Sequence, residues 1–391
     1  MKQLKNEVAI ELTEHILPFW LRLLDPEYGG MYGLVDYDLN LDKNADKGGI
    51  VTARFLWTFS AAYRETGRQE YLDAATMLFR FLKEKVYDHE FAGLYWLVDY
   101  KGNPKDARKH IYTQSFGVYS CSEYYLASKD EEAIELAKTL YYLIEENGFN
   151  RENNAYREEF DREWNEQPNQ MLSDNELLAD ITMNTHIHVL EAYTTLYKAW
   201  PAPELKERIE NLLHILHKNI YLQESKFLGV FFDKSWNNLI DLKSFGHDIE
   251  ASWLIDEAIK TIGIHHPKYN QMVIDIAYNI ADCAIEEDGS LINEQVNDEI
   301  DRTRVWWVQA EAAVGFYNAY ERTGDEKFLK LVNGLWNYIK NNIIDQRENG
   351  EWYWAVDPEG IPEIMNIVDP WKASYHNSRF CLEFMKRVTD K

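Results

Sequence analysis

Cysteine, basic charge and long apolar runs are all scarce in this chain, and each shortage removes a class of protein. The three cysteines, Cys121, Cys283 and Cys381, stand far apart with no CxxC pair. An odd number at wide spacing supports neither a disulfide framework nor a zinc knot; it fits buried free thiols in a reducing compartment. Lysine and arginine total 41 against 66 aspartates and glutamates, for a net charge of −25. That balance provides no basic stripe for a nucleic acid and disfavours anionic membrane surfaces. No window of about 18 apolar residues is present, so no transmembrane helix is expected. The opening MKQLKNEVAIELTEH lacks the apolar run of a signal peptide, and the expected location is cytoplasmic. GxGxxG after a strand, GxxxxGK[ST], HExxH and GxSxG are all missing, so hydride transfer, phosphoryl transfer and zinc hydrolysis lose support. No cofactor and no metal are expected.

Aromatic residues, by contrast, are abundant: 13 Trp, 25 Tyr and 17 Phe. Aromatic faces stack on pyranose rings, which points toward carbohydrate, although most of these side chains serve the core. With 391 residues, 46% of them hydrophobic, the chain can bury a large core. It also repeats itself. The stretch from Tyr63, YRETGRQEYLDAATMLFRFLKEKVYD, resembles YERTGDEKFLKLVNGLWNYIKNNIID from Tyr320, and YLASKDEEAIELAKTLYYLIEEN from Tyr125 is a third copy. Each has a helix end, a turn at Gly67, Ser128 or Gly324, and then an amphipathic helix. Such recurrence marks a repeat architecture.

Apolar periodicity predicts helices over 3–24, 48–66, 69–87, 112–128, 131–147, 177–199, 203–220, 248–262, 268–286, 303–322, 326–343 and 374–388. Strand-like alternation is confined to short hairpins such as GLYWLVDYKGNP, FLGVFFDKSWNNL and EWYWAVDPEG. Twelve helices in six antiparallel pairs predict an all-α fold, an (α/α)6 barrel with short β-hairpins at one end, in a single domain over 1–391. The charge-rich members, such as 69–87 and 326–343, belong to the outer ring. Helices of the inner ring are covered all round, so their polar residues must face a partner or a central cavity.

Those inner helices hold the informative residues. Arg54 is a lone cation in GGIVTARFLWTFSAAY, serving either a structural ion pair or the stabilisation of a developing oxyanion. Asn184 and His188, four apart in TMNTHIHVLEAY, share a helix face. His186 diverges from His188, which argues against a metal pair. His247, at a helix start in SFGHDIEASW, has Glu250 three residues on as a candidate to orient it. Trp307 and Glu311 share a face in the next such segment, where one tryptophan of the Trp306–Trp307 pair belongs to the core. Trp371 and His376 stand before and at the start of the last helix, and Tyr112 has the comparable place in another repeat. Two histidines far apart in sequence, each at an inner helix start, suggest a two-base proton-transfer site.

Taken together, TMNTHIHVLEAY, GHDIEASWL, INEQVNDEIDRTRVWWVQAEAAVGF and WKASYHNSRFCLE resemble the N-acylglucosamine 2-epimerase superfamily, in its cellobiose 2-epimerase branch, over essentially the full chain. The resemblance implies an (α/α)6 barrel and a metal-independent inversion at carbon 2 of the reducing-end glucose of a β-1,4-linked disaccharide, cellobiose or lactose. It implies that His247 and His376 are the acid/base pair, that Arg54 and His188 stabilise the intermediate, and that Tyr112, Asn184, Glu250, Trp307, Glu311 and Trp371 bind substrate. It implies a small-molecule sugar partner and a monomer, with a dimer as the alternative. A mannose isomerase or an N-acylglucosamine 2-epimerase is the neighbouring reading. An (α/α)6 glycoside hydrolase using Glu250 and Glu311, and a non-enzymatic glycan-binding protein, are the more distant ones. One departure stands out: SYHNSR replaces the family's PYHNGR, which bears on the entry angle and flexibility of the loop carrying His376.

Overall fold

The computed structural model describes residues 1–172 and 177–388. Six helices form an inner ring: α2 (Gly49–Thr66), α4 (Ile111–Ser128), α6 (Met183–Ala199), α8 (Phe245–Ile262), α10 (Trp306–Thr323) and α12 (Tyr375–Arg387). Each packs on the next, and α12 returns to α2, so the ring closes. The outer ring is α1 (Lys2–Ile10, continuing through Glu11–Ile16 to Leu17–Leu21), α3 (Gln69–Phe81), α5 (Glu131–Leu143), α7 (Pro203–Ile215), α9 (Pro267–Cys283) and α11 (Glu326–Tyr338). The (α/α)6 barrel expected from the repeat is therefore the observed architecture. Among the described residues no helix is long and apolar enough to cross a membrane.

The two rings differ in the way their sequences require. Inner helices are buried on nearly every face, and α4 from Ile111 to Tyr124 has no exposed side chain. Outer helices bury one stripe, such as Tyr71, Ala74, Ala75, Leu78 and Phe79 in α3, which is the 3.6-residue period of an amphipathic helix. The turn from inner to outer helix is tight. Gly67, Gly263 and Gly324 take left-handed φ values of 69°, 67° and 71°, and Lys129 does the same at 62°, a conformation that costs least at glycine. Outer helices end in a single π turn at the same place in four repeats: Leu82–Val86, Ile144–Gly148, Leu216–Ile220 and Ile339–Ile343.

The return from outer to inner helix carries the hairpins. Short strands at Lys47–Gly48, Lys109–His110, Ile181–Thr182, Leu242–Ser244 and Arg304–Val305 each run directly into an inner helix. They pair with antiparallel neighbours, for example Ile181 with Phe232 and Val305 with Ala355. Helix α6 accordingly starts at Met183 and not at 177, because Ile181 and Thr182 are in the sheet and the Thr182 hydroxyl caps the helix by accepting from the Thr185 N–H. Buried lysines brace several of these returns. Lys47 pairs with Asp25 at 2.6 Å, Lys109 with Asp88 at 3.0 Å and Lys372 with Glu351 at 2.8 Å.

Candidate active site

All six inner helices begin at the hairpin end, and a cavity of about 430 Å³ opens among their first turns. Tyr112, Asn184, Trp307 and His376 are each the second residue of their helix, His247 is the third and Arg54 the sixth. All six line the cavity, together with His188, Glu250 and Trp371. Glu311 does not; it lies fully buried behind His376.

Arg54 is buried, and no carboxylate among the described residues pairs with it. Its Nη2 donates to the Tyr112 hydroxyl at 2.8 Å and its Nη1 to the Trp371 carbonyl at 3.0 Å. Its guanidinium lies over the rings of Phe116, at 4.5 Å, and Tyr375, at 5.2 Å. Of the two roles open to it, the structural ion pair is not present among the described residues. A guanidinium held by neutral groups beside a cavity offers an uncompensated positive charge to any anion that forms there.

The two histidines lie against one indole. The Trp307 ring is 4.7 Å from that of His247 and 5.4 Å from that of His376. Gly246 permits this approach, since a Cβ there would come within 2.9 Å of the Trp307 ring. Each imidazole is fixed through Nδ1. Ser244 Oγ lies 2.7 Å from that of His247, and that of His376 donates to Glu311 Oε1 at 2.7 Å. Glu250 therefore does not orient His247: a helical i+3 neighbour was available, but its carboxylate is drawn to Arg379 instead. Burial, with the nearby His188 and Arg54 charges, holds the His247 pKa down to about 3. Burial also holds His376 well below its ordinary value, reinforced by Arg379 and Arg54. Both rings are neutral at pH 7 and have Nε2 left for chemistry.

Beneath the cavity floor lies a buried ionic cluster centred on Arg379. Its guanidinium bonds Glu191, Glu250 and Glu311, the last at 2.6 Å through Nη2 and 3.1 Å through Nε. Glu191 also accepts from the Tyr375 hydroxyl at 2.5 Å, and its Oε2 from His188 Nδ1 at 2.8 Å. Trp253 Nε1 donates to Glu311 Oε2 at 3.1 Å. Burial alone raises all three carboxyls. At Glu191 the Arg379 and His188 charges overcome it and bring the pKa to about 2. At Glu250 burial and the neighbouring Glu311 leave it at about 7, and at Glu311 burial outweighs Arg379 to the same result. Three buried carboxyls thus share the one guanidinium of Arg379, and burial pushes two of them, Glu250 and Glu311, upward.

Glu250, Glu311 and His376 each bring a ligand-type atom within 4.8 Å of the others, but the Arg379 guanidinium already supplies the cation between the two carboxylates. Sequence reasoning missed Arg379 and Glu191 as parts of the site, as well as Ser244 and Trp354, which line the cavity. For Arg379 the signal was its place three residues after His376 on α12; Trp354 sat in a hairpin already picked out for its alternation. The first half of the departure at SYHNSR is accommodated, whereas the Ser378 hydroxyl is buried with no hydrogen-bond partner among the described residues. Ser374 has φ −62°, the value a proline would impose, and its hydroxyl donates to Thr58 Oγ1 at 3.0 Å.

Comparison with known proteins gives a consistent result. The family model described as N-acylglucosamine 2-epimerase (GlcNAc 2-epimerase) matches residues 30–379. A cellobiose 2-epimerase of Ruminococcus albus is 46% identical over 98% of this chain and 99% of its own. One of Dictyoglomus turgidum is 44% identical over 99% of this chain and 100% of its own. The solved cellobiose 2-epimerase of Bacillus thermoamylovorans B4167 superposes with a TM-score of 0.98 at 59% identity, covering 99% of this chain and 100% of that one.

Proposed function

The chain belongs to the N-acylglucosamine 2-epimerase family, and on that footing we propose that it interconverts the carbon-2 epimers of the reducing-end sugar in β-1,4-linked disaccharides. Cellobiose would give glucosyl-mannose and lactose would give epilactose. The observation that carries the reading is the pair of neutral imidazoles, His247 and His376, set against a single indole beside the Arg54 guanidinium, which no described carboxylate pairs.

The chemistry follows from those parts. The reducing-end hemiacetal opens to an aldehyde, and the hydrogen on carbon 2 becomes acidic because its charge can spread onto the carbonyl oxygen. One imidazole removes that hydrogen through Nε2. The cis-enediolate that forms is held by Arg54, with His188 assisting, in a site that desolvation makes electrostatically strong. The other imidazole delivers a proton to the opposite face. It must first take up a proton from solvent on Nε2; at His376 the Nδ1–H already donates to Glu311, whose carboxylate then faces the imidazolium. General acid–base help contributes about 10² to 10⁴ in rate; positioning and enediolate stabilisation account for the remainder. Trp371, 38% exposed at the rim, offers its face to the second sugar. Delivery of the proton to carbon 1 of the same intermediate would yield a ketose.

A hydrolase mechanism requires two carboxylates across the scissile bond. Glu250 and Glu311 share Arg379 Nη2, and Glu311 is screened from the cavity by His376, so the geometry favours epimerisation. The test is cellobiose in heavy water followed by proton NMR. Product should carry deuterium at carbon 2 of the reducing sugar, and His247→Ala and His376→Ala should each abolish its formation with the helical fold retained. Complete hydrogen retention, or near-normal turnover by either variant, refutes the two-histidine reading. Mannose and N-acetylmannosamine in parallel distinguish the sister activities.

A further inference from the structure

We propose that His110, a residue outside the cavity, is a positioning residue that clasps the 169–172 segment to the helix carrying Tyr112, and so holds Met171 and Leu172 in place as a wall of the substrate cavity. The proposal rests on the disaccharide reading given above for the identity of the substrate, but its geometry stands independently.

His110 is fully buried at the N-cap of α4. Its Nδ1 accepts from the Tyr112 backbone N–H at 3.2 Å. An amide N–H can only donate, so Nδ1 is bare and the ring proton is on Nε2. Nε2 lies 3.3 Å from Asn169 Oδ1. That same oxygen accepts from the Leu172 N–H at 3.2 Å, which identifies it as the acceptor and matches the tautomer imposed from the other side. One ring therefore ties two walls together. On one side is Tyr112, whose hydroxyl holds Arg54. On the other is the turn that presents Met171 and Leu172 to the cavity. Burial brings the His110 pKa to about 4, so the ring keeps this single neutral form throughout the range in which an enzyme of this kind is assayed. The nearest carboxylate, Glu158 Oε2, is 4.0 Å away and is engaged by the Thr185 hydroxyl at 2.5 Å, so it does not compete for Nε2.

Two substitutions cut the clasp from opposite ends. His110→Asn keeps a capping oxygen for the Tyr112 N–H, since asparagine is a favoured N-cap, but is too short to reach Asn169. Asn169→Ala leaves the cap untouched. Each should raise KM for cellobiose about five-fold with kcat within about two-fold, the scale of one neutral hydrogen bond. The double variant should be no worse than Asn169→Ala, which removes the His110 contact together with the acceptor of the Leu172 N–H. Backbone hydrogen exchange over 169–172 should accelerate in both, and that measurement needs no substrate. Unchanged exchange with wild-type KM, or KM effects that add in the double variant, would overturn the clasp. If His110→Asn fails to fold, His110→Ser, which also keeps a capping oxygen and cannot reach Asn169, decides by the same two readouts. Cellobiose turnover by the unsubstituted protein tests the disaccharide reading separately.

Discussion

Glu311→Gln is the most informative single change, because it removes a charge and leaves every contact sterically in place. Glutamine keeps an oxygen for His376 Nδ1, now 2.7 Å from Glu311 Oε1, although its amide NH2 then faces the Trp253 Nε1–H, which loses its acceptor. What disappears is the negative charge next to a ring that must become cationic during turnover. Two unit charges about 4 Å apart at an effective dielectric constant of about 20 interact by about 4 kcal/mol. Loss of that attraction in the rate-limiting proton transfer corresponds to a drop in kcat of about 10³. A smaller loss, near 10², follows if Glu250 and Glu191 compensate through Arg379. The substitution also removes the like charge that helps hold Glu250 up at about 7, so the pH–rate profile of the residual activity should shift toward acid. The assay is initial-rate epimerisation of cellobiose by NMR from pH 5 to 9, with circular dichroism to verify the fold. A kcat within about three-fold of wild type would refute the claim that this carboxylate supports the His376 imidazolium.

Other outcomes follow from the same contacts. Tyr112→Phe removes the hydroxyl that accepts from Arg54 Nη2 and should lower kcat/KM by about ten-fold, the value of a hydrogen bond to a charged group; an unchanged kcat/KM would remove Tyr112 from the Arg54 grip. Lys372→Met strands buried Glu351 and two carbonyls, those of Trp352 and Ile367. It should cost about 3–5 kcal/mol in urea unfolding, and a loss below about 1 kcal/mol would contradict the brace. Glu158 is buried and its pKa is pushed up to about 8, only partly relieved by the Thr185 and Thr182 bonds. A carboxyl raised on folding binds its proton more tightly in the native state. Its stabilising effect is therefore full below its ordinary pKa and is lost as pH rises toward 8. Glu158→Gln should accordingly gain on wild type between pH 5 and 8, by up to about 1.4 kcal/mol per pH unit, and parallel stability curves would contradict that assignment.

The fold was legible because its repeat leaves two kinds of helix in the sequence: α3 and α11 show one apolar stripe, while α2 and α4 carry few charges and are buried on nearly every face. The start of α6 was not legible, because Ile181 and Thr182 read as helix until their pairing with the Phe231–Phe232 strand is seen. At the site, residues in the first turns of inner helices could be found by position. The partner of His247 could not. Helical spacing offered Glu250, but Arg379, which lies 129 residues away in sequence, outbids the imidazole for that carboxylate, and Ser244 takes its place. The clustering of three carboxylates on one guanidinium is a product of ring closure, and no local pattern encodes it. Glu311 was placed on the correct helix face, one layer too near the substrate.

The closing seam of the ring has a consequence for the chain as a thread. Lys5 Nζ donates to the Val388 carbonyl at 2.8 Å, and α1 packs along α12, so the two ends of the described chain meet as neighbours on the barrel wall. Every residue of the cavity belongs to the hairpin end, whereas the turns at Gly67, Gly263 and Gly324 lie at the other end of the inner helices. The order in which the six repeats are threaded is thus separable from the chemistry. A chain opened at Gly324 and joined across the seam would present the same imidazoles, the same indole and the same guanidinium, in a different sequence order but the same circle.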